Sequence, residues 1–188
     1  MYHDLLQNTI FHAFLTTIDD ELANKVREAR CLCGGALHRA DYPRSPLGLT
    51  VVCREYYESR RSFCCDQCRK RVTTPSVRFF GRHRFPAPTF VLLSFLKRGV
   101  AAPTLKQVRR HFGIDISKRT WRRWCRWWRE GFIATAFWKQ AKGICPTGDP
   151  DDDYPRSLRC AYSGSFSDQW VAVLRFLAPL TAGVYRAA

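Results

Sequence analysis

The 188-residue chain reads as an α+β fold: a small cysteine-bearing β module joined to a bundle of helices, with a further helix at each end. Three observations predict this. Six of the nine cysteines fall between residues 31 and 85, among Gly/Pro turn signals and short β-prone runs such as "LTVVC" and "VRFF". Residues 86–142 open with "PAP" and then carry apolar residues at helical spacing, punctuated by caps and stops. Both flanks repeat the helical spacing. With 46% hydrophobic and 14% aromatic residues, the chain can bury a core and is no disordered tail.

Residues 1–30 predict a mildly acidic helix. Leu6, Ile10, Ala13, Phe14 and Ile18 fall in one row, continued by Leu22 and Val26, and the row is expected to pack on the rest of the chain. The start "MYHDLLQNTIFHAF" has an acid and no basic run before its apolar residues, unlike a secretory signal. No uncharged apolar run approaches the ~18 residues that cross a bilayer. A cytoplasmic protein without membrane contact is expected. Its cysteines then read as metal ligands or buried thiols, since reducing compartments disfavour disulfides.

Residues 31–85 form the expected β module. "CLCGG" at 31–35 and "FCCDQCRKR" at 63–71 supply two close pairs of thiols about thirty residues apart. A tetrahedral zinc site needs that arrangement: each pair on a tight turn whose amides point at sulfur, with Gly letting the chain fold back. Cys65 and Cys68 have the standard C-x2-C spacing, while Cys31 and Cys33 are one residue short of it. These four are the expected ligands of one structural Zn2+. Cys64 is the rival for Cys65, and His38 or Cys53 the substitutes in the first pair. No Glu or His sits beside either pair to act as a general base, so a metal that folds the module is expected, not a catalytic one.

Residues 86–142 predict three helices. "TFVLLSFLKRG" is apolar and ends at Gly99; "PTLKQVRRHFG" begins with a capping box, Thr104 with Gln107, shares a face among Leu105, Val108 and Phe112, and ends at Gly113. Ser117 then caps the third, "KRTWRRWCRWWRE". At about 100° per residue, Trp121, Trp124, Cys125 and Trp128 make one apolar stripe, with Trp127 at its border. Arg119, Arg122, Arg123, Arg126 and Arg129 project from the other side. A short helix, a glycine turn and a longer basic helix describe a helix-turn-helix, with indoles seated inward and guanidinium groups facing a partner.

Residues 143–157 combine prolines with Asp149, Asp151, Asp152 and Asp153, as suits an exposed loop. Residues 158–188 resume a helical stripe, Phe166, Trp170, Val173, Leu174 and Leu177, which is expected to close the core before Pro179.

The charge selects the partner class. Thirty-one Lys and Arg against sixteen Asp and Glu leave a net charge of +15. Clustered cations release condensed counterions when they meet phosphates, so a polyanion is expected. Residues 97–129 hold eleven Lys or Arg against one acid, Asp115. The expected double-stranded DNA contacts are Lys118, Arg119, Arg122, Arg123, Arg126 and Arg129, with Lys106, Arg109 and Arg110 on the preceding helix. Arg69, Lys70, Arg71, Arg82 and Arg84 form a secondary basic patch.

"CLCGG…FCCDQCRKR" followed by "PTLKQVRRHFGIDISKRTWRRW" resembles the zinc-ribbon plus helix-turn-helix front end of bacterial insertion-sequence transposases, over residues 31–130. The resemblance implies Cys31, Cys33, Cys65 and Cys68 as zinc ligands, the 117–129 helix as groove reader, and a place on the bacterial nucleoid. A catalytic half is missing from the pattern: the aspartates after Glu130 are bunched in one proline-rich loop and cannot spread around two metals. Tyr56 and Tyr57 lack a recombinase's Arg/His framework. No enzyme is expected. The chain reads as a mobile-element accessory protein that binds DNA and recruits or positions a recombinase, transposase or nuclease. The alternatives are a stand-alone transcriptional regulator and, third, an RNA-binding protein that stacks bases on the rings of "REYYESRRSF".

Overall fold

The computed structural model describes residues 2–81, 83–97, 104–143 and 154–182, and within them the fold is α+β, mostly helical with small antiparallel sheets. Helices α1 (Tyr2–Gln7) and α2 (Thr9–Glu28) come first, α2 being capped by Asn8, whose side chain accepts from the Phe11 amide. Strands β1 (Leu37–Arg39), β4 (Ser62–Cys65) and β5 (Arg71–Thr73) form one sheet in the order β1-β4-β5, and β2 (Tyr42–Pro43) pairs β3 (Ser59–Arg60). The register sets Leu37 opposite Cys65 and Phe63 opposite Val72. Leu37, Phe63 and Cys65 pack with Ala23 of α2 in a small cluster of their own.

The larger core is helical. Helix α4 (Ala87–Lys97) buries Phe90, Val91, Leu92 and Leu93 completely or nearly so, because it is apolar on all sides and runs through the middle. Around it lie α1, α2, α5 (Leu105–Phe112), α6 (Lys118–Arg126) and α9 (Phe166–Leu177), with the short α7 (Ala136–Ala141) and α8 (Arg156–Cys160) closing one side. Phe90 stacks on Trp128 at 5.6 Å and meets Trp124 edge-on at 5.1 Å. Truncating either buried indole would cost about 3–5 kcal/mol. Of the C-terminal stripe, Trp170, Val173, Leu174 and Leu177 are buried and Phe166 is partly buried, with Trp170 edge-on to Phe95. Val77, Phe80 and Phe85, at the end of the segment assigned to the β module, pack in the helical cluster.

Three local expectations are corrected. Helix α2 buries Phe11, His12, Leu15, Ile18, Asp19 and Ala23, while Ile10 and Phe14, placed on the inner row, are 79% and 48% exposed. The run "LTVVC" is no strand: Val51–Arg54 forms a helical turn, α3, with both valines in solvent. "VRFF" makes only an isolated bridge, Phe79 to Pro86. Gly99 and residues 144–153, including the four aspartates, lie outside the described residues.

Buried polar groups join the two halves. Asp19 accepts from Arg78 Nε at 2.8 Å, from Ser76 Oγ at 2.7 Å and from the Val77 amide at 2.7 Å, and Arg78 also donates to the Tyr56 carbonyl. Asp19 and Arg78 are 1% and 3% exposed, so removing one charge strands the other in a poor solvent. Asp19→Ala is expected to lower unfolding free energy by about 3–5 kcal/mol in urea titrations. Asp19→Ala unfolding at the wild-type midpoint would contradict this.

His12 is fully buried, its ring placed between the Tyr57 hydroxyl at 2.8 Å and the Leu6 carbonyl at 3.0 Å. That pairing suits the neutral ring, with Nε2–H donating to Leu6 and Tyr57 O–H donating to Nδ1. Burial holds its pKa below the ordinary histidine range despite the Leu6 carbonyl, and burial and Arg123 lower that of His83. The unfolded chain therefore takes up protons below pH ~6.5 before the fold does. Stability is expected to be flat above that pH and to fall by up to about 1.4 kcal/mol per histidine per pH unit below it, until the folded pKa is reached. Urea midpoints at pH 7.5 and 5.5 check this, and His12→Gln should shrink the difference.

Candidate metal centre and nucleic-acid interface

Two turns bring the four cysteines together. Cys31 and Cys33 lie just before β1; Cys65 ends β4 and Cys68 sits in the turn that follows. Their Sγ atoms all lie within 4.8 Å of one another, with Cys31–Cys68 at 3.5 Å and Cys33–Cys65 at 3.4 Å. A tetrahedral ion with metal–sulfur bonds of about 2.3 Å sets its sulfurs about 3.8 Å apart, so the group can hold a metal ion.

Backbone geometry builds the cage. The Gly35 amide points at Cys33 sulfur, the Cys33 amide at Cys31, and the Gln67 and Cys68 amides at Cys65. Gly34 and Arg69, each directly after the second cysteine of its pair, both turn the chain with φ of +87° and +58°. Gly35 permits the close approach of the two turns, since a Cβ there would stand 2.6 Å from Cys65 Sγ. The Gly35 amide, aided by the neighbouring thiols, lowers the Cys33 pKa to about 6. The thiols of Cys31 and Cys65 are pushed up although backbone amides pull them down, Cys31 by donating to Cys33 and Cys68, Cys65 chiefly by burial.

The rival ligands stand outside the cage. Cys64 Sγ contacts the Arg69 carbonyl at 3.6 Å. His38 is exposed on β1, with Asp66 at 3.7 Å. Cys53 is buried against the Gln7 carbonyl.

The basic helices carry the second candidate site. Thr104 and Gln107 make the full capping box of α5, Gly113 ends it at φ +64°, and Ser117 caps α6 by accepting from the Thr120 amide. Ile114 and Ile116 bury either side of Asp115 and pin the connection to the core. Helix α6 continues as a π turn over Trp127–Phe132. Trp121, Trp124 and Trp128 are 8%, 1% and 1% exposed, and Trp127 is half-buried against Phe80. Lys118, Arg119, Arg122, Arg123, Arg126 and Arg129 are all exposed, as are Lys106, Arg109 and Arg110 on α5. Among the described residues none of these nine has a carboxylate within 4.0 Å.

The secondary patch divides. Arg69, Lys70 and Arg71 are exposed at the cysteine module, whereas Arg84 lines a cleft of about 340 Å³ with Ser117 and Arg123, beside α6. Arg82 lies outside the described residues. The rings of the 54–63 run are mostly interior: Tyr57 and Phe63 are buried and Tyr56 half-buried. Among the described residues, no helix is long and apolar enough to cross a membrane.

No family model, curated protein or solved structure matches the chain.

Proposed function

We propose that the chain is a zinc-containing, sequence-reading DNA-binding protein without catalysis of its own, serving a mobile element by binding its DNA and positioning a partner enzyme. The carrying observation is the division of α6: three indoles sunk in the core, and cations on the opposite side that meet no carboxylate within 4.0 Å among the described residues. Such a rod, about 10–12 Å across, fits a major groove about 12 Å wide, where guanidinium groups meet guanine edges and phosphates. The short connection from Gly113 to Ser117 supports a helix-turn-helix reading of α5 and α6, with α6 as reader. The four thiols suit Zn2+, whose closed all-sulfur site folds a ribbon and leaves no position for substrate. The mobile-element role follows from the resemblance of the cysteine pairs and helix pair to transposase front ends. An RNA reading is less favoured, because the rings it would stack on are mostly buried.

Binding to duplex DNA and to single-stranded RNA of equal length, across a salt series, tests this. With six cations engaged, log affinity for duplex should fall against log salt with a slope near −5. Equal or tighter RNA binding would overturn the DNA reading, and strand cleavage by the purified chain would overturn the non-catalytic one.

A further inference from the structure

Apart from the outer face of α6, a second cationic site is built where the β strands meet the C-terminal turn. A cleft of about 630 Å³ opens among Tyr42, Arg44, Arg60, Arg71 and Thr181, a volume typical of small-ligand sites. Among the described residues lining it there is no carboxylate.

Arg60 forms part of its wall. The side chain is 1% exposed, and its hydrogen bonds go to the carbonyls of Phe79 (3.2 Å), Thr74 (3.1 Å) and Thr181 (2.7 Å). Its Nε has no partner among the described residues. The guanidinium carbons of Arg44, Arg60 and Arg78 lie 5.6, 5.7 and 5.3 Å from the Phe79 ring centre. Asp19, whose charge acts on Arg60, is already paired with Arg78. Burial pulls the Arg60 pKa down, and Arg44 and Arg78 add to the pull, while Tyr42 and Asp19 offset part of it. Like charges gathered in a poorly solvated site are costly unless an anion joins them.

We propose that this cleft binds a phosphate group, gripped by Arg44 and Arg71 over the fixed charge of Arg60. Arg44 commits one amine to the His83 carbonyl at 2.7 Å, and Arg71 commits one to the Ala40 carbonyl and Ser62 Oγ. Each keeps its other donors uncommitted among the described residues, and planar guanidinium forks match phosphate oxygens. The Arg71 guanidinium lies over the Tyr42 ring at 5.7 Å, which holds it at the cleft. His83, whose carbonyl orients Arg44, also lines the neighbouring cleft with Arg84 and Arg123. A backbone phosphate of DNA leaving α6 and a free phosphate or nucleotide would meet the same donors.

Calorimetric titration with inorganic phosphate, against chloride at matched ionic strength, tests the site. Wild type should bind phosphate; Arg44→Gln and Arg71→Gln should each weaken it about tenfold or more. Lys139→Gln, at an exposed cation outside both sites, should leave it unchanged. Circular dichroism checks folding, and if Arg71→Gln disturbs the sheet, Arg44→Gln decides alone. Titration with a short duplex separates the sources. A salt slope lowered by about 2 in the Arg44/Arg71 double variant assigns the phosphate to DNA; an unchanged slope with lost phosphate binding assigns it to a free ligand. Phosphate binding no stronger than chloride, or undiminished in Arg44→Gln, would overturn the proposal. Wild type that binds phosphate but not DNA would instead overturn the α6 reading and leave this site standing.

Discussion

Chelation of the metal, or Cys65→Ser, is expected to unfold the cysteine module while the helical core stays folded. The module's own buried cluster is Ala23, Leu37, Phe63 and Cys65. Four residues cannot offset the entropy of ordering the strands and turns around them, at about 1–2 kcal/mol per residue for the backbone. A metal held by the four thiols would make up the difference, since structural zinc binding is worth on the order of 10 kcal/mol or more. The larger cluster, from Leu5 to Ala178, contains none of the four ligands, so the loss should be local. All six tryptophans lie between residues 121 and 170, which gives a clean readout. Amides of β1, β4 and β5 should lose hydrogen-exchange protection on chelation, while tryptophan emission and the protection of α4 hold. Full retention of strand protection in metal-free protein would remove the metal from the fold. Because the thiols must ionise to ligate, metal should also be released as pH falls.

Why the cysteine cage and the α6 face were legible in the sequence, and α2 was not, comes down to the range of the interactions. C-x-C, C-x2-C, the Thr104–Gln107 box and the Trp/Arg spacing are local patterns, each set within a few residues by turn and helix geometry. The inner face of α2 holds His12 and Asp19, whose partners Tyr57 and Arg78 are 45 and 59 residues away. A search for apolar periodicity treats both as outward-facing and so rotates the helix toward Ile10 and Phe14. Val51 and Val52 misled for a related reason: β propensity reflects packing on a half-buried sheet, and both are in solvent. Among so many arginines, nothing local distinguishes the buried Arg60 and Arg78 from the exposed Arg122 and Arg126.

Charge reversal on α6 is the sharpest test of function. Arg122→Glu with Arg126→Glu should reduce duplex affinity on the order of a thousandfold at about 0.1 M salt, since each lost phosphate contact forfeits its counterion release and each new acid repels the backbone. The slope of log affinity against log salt should fall by about 2 or more. Both positions are exposed on a helix seated by Trp121, Trp124 and Trp128, and Glu is a good helix former, so stability should change little. An unchanged urea midpoint therefore separates lost binding from lost folding. Substitution of the α5 cations Lys106, Arg109 and Arg110 by Gln should lower affinity evenly across DNA sequences if they meet phosphates, while Arg119 and Arg122, in the first turns of α6, should alter which sequence is preferred. If the reversed protein binds duplex as tightly as wild type with the same salt slope, α6 is not the reader, and its basic face is ordinary solvated surface.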